Sequence, residues 1–171
     1  MNEKALYKIT YGLYVVSAQA DGRRSGCVVN TLQQVTSEPI RLSVAVNKDN
    51  FTCQLIQKAG RFAAVALDQR ADLMAIGRFG FRTGKDFDKF EEIPFAQDAA
   101  GMPYPVEASC AHYSCKVEQT LDLGTHILFV GLAEESEILS EEEALTYSYY
   151  RNVIKGNTPK NAPSYQKGAN G

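Results

Sequence analysis

Apolar and polar residues alternate along several short runs of this chain, the period-two pattern of strands buried on one face. The clearest run is Arg41 to Asn47: Leu42, Val44 and Val46 share one face, and Arg41, Ser43 and Asn47 take the other with small Ala45. Tyr113 to Gln119 alternates in the same way, with Tyr113, Cys115 and Val117 opposed to Ser114, Lys116 and Glu118. Leu13–Ala18, Arg24–Thr31 and Arg61–Leu67 are β-branched or small apolar runs, and His126 opens another that extends to about Ala133. Ala20-Asp21-Gly22 has hairpin-turn chemistry between the first two of these, and Asp122-Leu123-Gly124 marks a second turn.

Helical spacing is confined to short stretches. Asn50–Ala59 places Phe51, Leu55, Ile56 and Ala59 on one side, with Asp49 or Asn50 as the cap and Gly60 as the stop. Ala71–Phe79 and Ala144–Val153 read as further helices, the last carrying Tyr147, Tyr149, Tyr150 and Arg151. Residues 3–12 form a short helix or an irregular lead-in. Residues 33–39 read as a Gln/Thr/Ser-rich turn ended by Pro39, and residues 94–105, with three prolines, as a surface loop. The acidic stretch 134–143 marks a solvated exit, and residues 156–171 an extended Pro/Gly/Asn-rich tail. Strands at short spacing without long crossover helices predict a mainly β protein. Its expected form is an antiparallel barrel with peripheral helices over residues 1–155, not a parallel α/β sheet.

Composition narrows the function classes. The chain of 171 residues is long enough for one full core. A formal charge of −2 without a Lys/Arg cluster argues against a nucleic-acid binder. The start MNEKALYKIT lacks the pattern of a secretory leader, and no apolar run reaches membrane-spanning length, so the expectation is a cytoplasmic protein away from membranes. Cys27, Cys53, Cys110 and Cys115 form no CxxC pair and are expected as buried free thiols. Cys110-Ala111-His112 has no second closely spaced pair, and no metal site is expected there.

The candidate chemistry gathers in Ser25–Thr52. The junction Asn47-Lys48-Asp49-Asn50-Phe51-Thr52 combines a cation, two amides, a hydroxyl and a helix N-terminus, which suits a phosphate. Plain helix capping explains the same residues. Asn30, Thr31 and Gln33 to Thr36 form a polar patch after an apolar strand, the kind of donor and acceptor set that a flavin ring edge needs. An edge-strand turn with locally bonded side chains is the alternative. His126 heads an otherwise apolar strand, as a donor or relay against a bound ring or as a structural residue. Tyr147, Tyr149 and Tyr150 cover a planar ligand or a partner subunit, or simply pack. No GxSxG, HExxH, P-loop or GxGxxG occurs.

Several blocks together resemble the flavin reductase-like family, whose fold is the FMN-binding split barrel, and in particular its flavoredoxin and rubredoxin-linked branch. They are YGLYVVSA, GCVVNTLQQVTSEP, RLSVAVNKDNFTCQLI with GRFAAVAL, FGFRTGKDFDKF, THILFVG and YYRNVIKGNTPKNAP, in the family's order over roughly residues 5–163. The resemblance implies an antiparallel Greek-key split β-barrel that binds FMN (FAD is the less favoured form). It implies hydride from NAD(P)H, and electrons passed to free flavin, iron(III) or a small redox protein such as rubredoxin. By position, Asn30, Thr31, Gln33, Val35 and Thr36 line the ring. Asn47, Lys48, Asn50 and Thr52 follow the ribityl phosphate, with Lys89, Phe87 and Phe90 close to the flavin. His126 stands near the isoalloxazine, where the nicotinamide stacks. The family often has Asp before that histidine, and Thr125 stands here. A homodimer is implied as well. An electron-transfer protein with little NAD(P)H activity and a non-catalytic flavin- or haem-binding module are the rival readings.

Overall fold

The computed structural model describes residues 1–158 and 162. After a 3-10 turn at Glu3–Lys8 come β1 (Tyr14–Ala20), β2 (Arg23–Val29), β3 (Gln33–Ser37), β4 (Ile40–Asn47) and α1 (Phe51–Ala59). Then follow β5 (Arg61–Leu67), α2 (Leu73–Gly80), β6 (Phe95–Gln97), β7 (Pro103–Pro105), β8 (Ser109–Asp122), β9 (His126–Ile138) and α3 (Tyr147–Asn152). Seven strands form one sheet in the order β2-β1-β5-β8-β9-β4-β3, each neighbouring pair antiparallel.

Chain connectivity forces this sheet to curl. Its two edge strands, β2 and β3, are joined by Asn30–Leu32 alone, a link that reaches about 14 Å when extended. A flat sheet of this many strands would hold them about 29 Å apart. Thr31 fixes the closure: its hydroxyl donates to the Ala45 carbonyl at 2.8 Å and accepts the Ala45 N–H at 3.2 Å. The barrel expected from the strand pattern is therefore present, split between β2 and β3.

Local chemistry sets the elements as the sequence suggested, with four differences. Asp21 and Gly22, both at positive φ, make the two-residue β1–β2 turn. Of the two candidate caps for α1, Asn50 is the one used, accepting the Thr52 N–H at 3.1 Å, and Gly60 ends the helix at φ 63°. Residues 33–37, read as a turn, are instead the exposed edge strand β3; pairing on one side only leaves no alternation to read. The 94–105 loop is a β6–β7 hairpin, tied by Asp98, which accepts the N–H groups of Ala100 and Met102 at 2.9 and 2.8 Å. Strand β9 runs on through the acidic residues to Ile138, since β8 pairs with it along that length. Asn30 and Thr31 lie just past β2 rather than on it. Most of the tail expected over 156–171 lies outside the described residues. At its start, Asn157 accepts from the Tyr150 hydroxyl and Thr158 from Arg151.

The core is filled by inward residues of β1, β4 and β5 with Phe62, Phe129, Ile56 and Phe90. All four cysteines are buried free thiols. Outside the barrel the β6–β7 hairpin covers His112, whose ring stacks on Tyr104 at 3.9 Å and 17°. Burial pushes the His112 pKa below 6.5, although Glu135, Asp98 and Glu137 pull the other way. The folded state therefore binds the proton less readily than the unfolded chain. Its stability is expected to fall as pH drops below 6.5 toward the lower folded-state value, and to be free of this penalty well above 6.5. Urea midpoints across that range check this. His112→Phe is expected to flatten the slope.

Candidate functional site

The suspected residues fall into two neighbouring groups joined by the N-terminus of α1. The first lies where β4 and β9 end together. Asn47 and His126 are cross-strand partners, and the Asn47 side chain turns the chain by accepting the Asp49 N–H at 2.9 Å. Lys48 reaches Asp122 at 2.6 Å, and that hydrogen bond holds the Asp122 carboxyl below its ordinary range. The His126 Nδ1 lies 2.8 Å from the Thr125 hydroxyl. A hydroxyl donates or accepts with equal ease, so Thr125 leaves both imidazole tautomers open, where a carboxylate would fix one. The His126 Nε2 is buried and has no partner among the described residues.

The second group sits under the loop between α2 and β6. Ser25, Thr52 and Lys89 are all buried, and the Thr52 hydroxyl donates to the Ser25 Oγ at 3.0 Å. Lys89, at 1% exposure, donates through Nζ to the Gly26 carbonyl at 2.7 Å and the Phe79 carbonyl at 3.0 Å. Burial drives its pKa down, opposed by the nearby Cys27, whose thiol burial in turn pushes up. Four consecutive residues of β2 hold this loop. Arg23 donates to the Gly84 and Lys85 carbonyls and stacks 4.2 Å from the Phe51 ring. Arg24 forks onto Asp88 at 2.9 and 3.1 Å. Ser25 packs against Gly84, and Gly26 accepts from Lys89. Burial raises the Asp88 pKa, but the Arg24 hydrogen bonds outweigh it and the net shift is downward.

The remaining candidates are placed as follows. Gln33, Val35 and Thr36 are exposed on β3. Phe87 lies under the guanidinium groups of Arg82 and Arg78, at 4.7 and 5.4 Å. Phe90 is a core residue, edge-on to Phe79 and Phe95. Thr31 has its hydroxyl engaged in barrel closure, and Asn50 its amide in capping. Tyr150 is buried and Tyr147 packs between it and Tyr11, so the aromatic helix is a packing element here. Sequence reading missed Arg23, Arg24, Ser25, Gly84, Asp88 and Asp122. Their partners lie 60 or more residues away in most cases, and no local pattern announces such contacts.

A flavin fits this donor set on one observation above all. A ring edge set against His126 would give Nε2 the partner that no described residue supplies. A model of the flavin reductase like domain matches residues 6–157. The chain belongs to the flavin reductase-like family. It is 39% identical over 168 residues to the high molecular weight rubredoxin of Moorella thermoacetica, covering 98% of this chain and 73% of that protein. It is also 39% identical over 165 residues to the ferric-chelate reductase (NAD(P)H) of Archaeoglobus fulgidus, covering 96% and 98%. An FMN-binding protein from Thermus thermophilus shares the fold, with a TM-score of 0.71 at 23% identity over 77% of this chain and 74% of that one. Among the described residues no helix is long and apolar enough to cross a membrane.

Proposed function

We propose that this flavin reductase-like protein is an FMN-dependent NAD(P)H oxidoreductase that hands electrons to a second acceptor. The buried, unpartnered His126 Nε2 beside Asn47 carries the reading. The relatives support its direction, one being named a ferric-chelate reductase (NAD(P)H) and another a rubredoxin. Bound flavin supplies the redox chemistry, taking hydride from the nicotinamide and releasing electrons singly or in pairs.

The chain's own residues bind and orient. His126 presents Nε2 to the ring edge or the donor, as a donor when Thr125 donates to Nδ1 and as an acceptor when it does not. Asn47, the α1 N-terminus and Lys48 make a field favourable to the phosphate, with Lys48 turning from Asp122 to meet it. The β2 latch holds loop 81–90 and, through it, Lys89 and Phe87 against the ring side. The exposed edge strand β3 and the start of β4, with Val35 and Ile40 half out in solvent, form a face that a second copy would cover, and we take the working form as a homodimer. The acceptor is free flavin, iron(III) or a small redox protein such as rubredoxin.

Titration of the protein with FMN, followed by quenching of flavin fluorescence, tests the cofactor assignment. One FMN per chain is expected, and a protein that takes up none would refute it. His126→Ala is expected to keep FMN and to slow reduction by NAD(P)H roughly tenfold or more, since a misplaced donor forfeits orientation. Unchanged reduction would return His126 to a structural role.

A further inference from the structure

His112 is a buried polar group that the proposed redox chemistry does not use. It lies on β8 beneath the β6–β7 hairpin, fully buried, and neither ring nitrogen has a hydrogen-bond partner among the described residues. A neutral imidazole carries one donor and one acceptor, and a proton adds a second donor and a charge. The carboxylates that act on the ring come from two elements. Asp98 belongs to the hairpin, and Glu135 and Glu137 to β9, where Glu137 is the cross-strand partner of His112. Tyr104 stacks on the ring from the hairpin, and Cys110 lies two places back on β8. Burial pushes the pKa of both upward, so neither ionises in acid. On β5 the partner is Val65, which carries no charge.

Two of the same carboxylates hold the hairpin down. The hairpin is a two-stranded sheet of its own, fixed to the barrel by side chains. Asp98 accepts the Ser114 hydroxyl at 2.6 Å, Glu135 accepts the Ala99 N–H at 3.3 Å, and the Ser17 hydroxyl donates to the Pro103 carbonyl. A protonated His112 would draw on Asp98 or Glu135 at the expense of those ties, or reach water only once the hairpin lifts. The hairpin in turn shares contacts with the loop at the proposed flavin site. Phe95 of β6 packs edge-on to Phe90 at 5.6 Å. It also lies 4.4 Å from the guanidinium of Arg24, the residue forked onto Asp88. Phe90 follows Lys89 directly. We propose that the β6–β7 hairpin is a proton-released clamp on loop 81–90. It stays shut over neutral His112 and opens when His112 takes a proton, loosening the flavin site. This inference rests on the flavin site proposed above and names its regulation. An open hairpin returns His112 to water and to its ordinary value of 6.5. Each pH unit below that value multiplies the open population by up to about ten, until the closed state itself takes the proton.

Amide hydrogen exchange on the FMN-loaded protein reads the opening. Ring NMR reads the trigger, since the chain has two histidines, His112 and His126. The Met102 and Phe90 N–H groups, bonded to Asp98 and Asp88, report on hairpin and loop. Their protection, corrected for intrinsic exchange, is expected to fall about fivefold or more from about pH 7.5 to about pH 5.5. The fall is expected to follow the His112 ring signal and to be absent in His112→Phe. FMN affinity is expected to weaken more in the wild type than in the variant over the same range. That comparison cancels the cofactor's own phosphate, which titrates there as well. Equal change in both proteins, in protection or in affinity, overturns the inference. A His112 ring that stays neutral while protection is lost overturns it from the wild type alone, should the variant fail to fold. Loss spread evenly to the core amides of β1 and β5 is global unfolding and overturns it too. A protein that takes up no FMN at any pH refutes the cofactor assignment, and the amide readings on that same protein still decide the clamp.

Discussion

Lys89→Met is expected to lower the melting temperature and to strip FMN from the protein. Two effects compete at this position. Removing the ammonium relieves the cost of burying it, a cost visible in the downward push on its pKa. It also leaves the Gly26 and Phe79 carbonyls without their donor, at about 1–3 kcal/mol for each orphaned buried group. Methionine fills most of the volume, so cavity formation adds little. Orphaned carbonyls win, with a net loss of about 2 kcal/mol, or roughly 4–8 °C in a chain of this size. The sign with pH is opposite to that of a lysine whose pKa is raised by an acidic partner. The folded-state pKa lies below the unfolded value of 10.5, so wild-type stability gains as pH rises between the two values, where the unfolded chain alone holds the proton. That alkaline gain is expected to vanish in the variant, and calorimetry across the range measures it. A variant as stable as the wild type at every pH would mean that Lys89 is not the peg of the loop.

Gly84→Ala is expected to be the second large effect, although it adds one methyl group. A Cβ at this position would overlap the Ser25 Oγ and come within 2.8 Å of the Ser25 Cβ and 3.3 Å of the Phe51 ring. Ser25 cannot swing clear, because it is fully buried and bonded to Thr52. The loop must lift instead, straining the Arg23 contacts to Gly84 and Lys85 and displacing Phe87 and Lys89. Overpacking of this kind costs about 1–3 kcal/mol. The loop carries proposed flavin contacts, so FMN affinity is expected to fall more steeply than stability, by about tenfold or more. Ser25→Gly in the same chain makes room for the methyl and is expected to recover part of both losses. Equal loss with and without that second change would show that steric overlap is not the cause.

The sequence revealed the frame well because alternation and capping act locally. The period-two pattern of Arg41–Asn47 is strand β4, Asn50 and Gly60 bound α1, and Asp21-Gly22 turns the first hairpin. It revealed less where structure depends on partners. Strand β3 has no buried face, so its five residues look like a turn until β4 is seen beside them. The β6–β7 hairpin is three residues a side and is held by the Asp98 side chain rather than by pattern. At the site, the residue pattern singled out His126 and the Asn47–Thr52 junction, and the family resemblance added Lys89. It could not reveal that Lys48 lies on Asp122, that Thr52 is buried on Ser25, or that four successive residues of β2 clamp the loop. Those pairings join residues far apart in the chain, and they exist only once the sheet has curled.

Anaerobic mixing of the FMN-loaded protein with NADH and with NADPH, followed by the absorbance of oxidised flavin, tests the central claim most directly. The expected result is rapid bleaching by at least one of the two nucleotides, with colour returning when free flavin, iron(III) or an oxidised one-iron protein is added. Absorbance left unchanged by both nucleotides, in a sample that dithionite bleaches fully, would contradict the reductase reading and leave a flavoprotein that takes its electrons elsewhere.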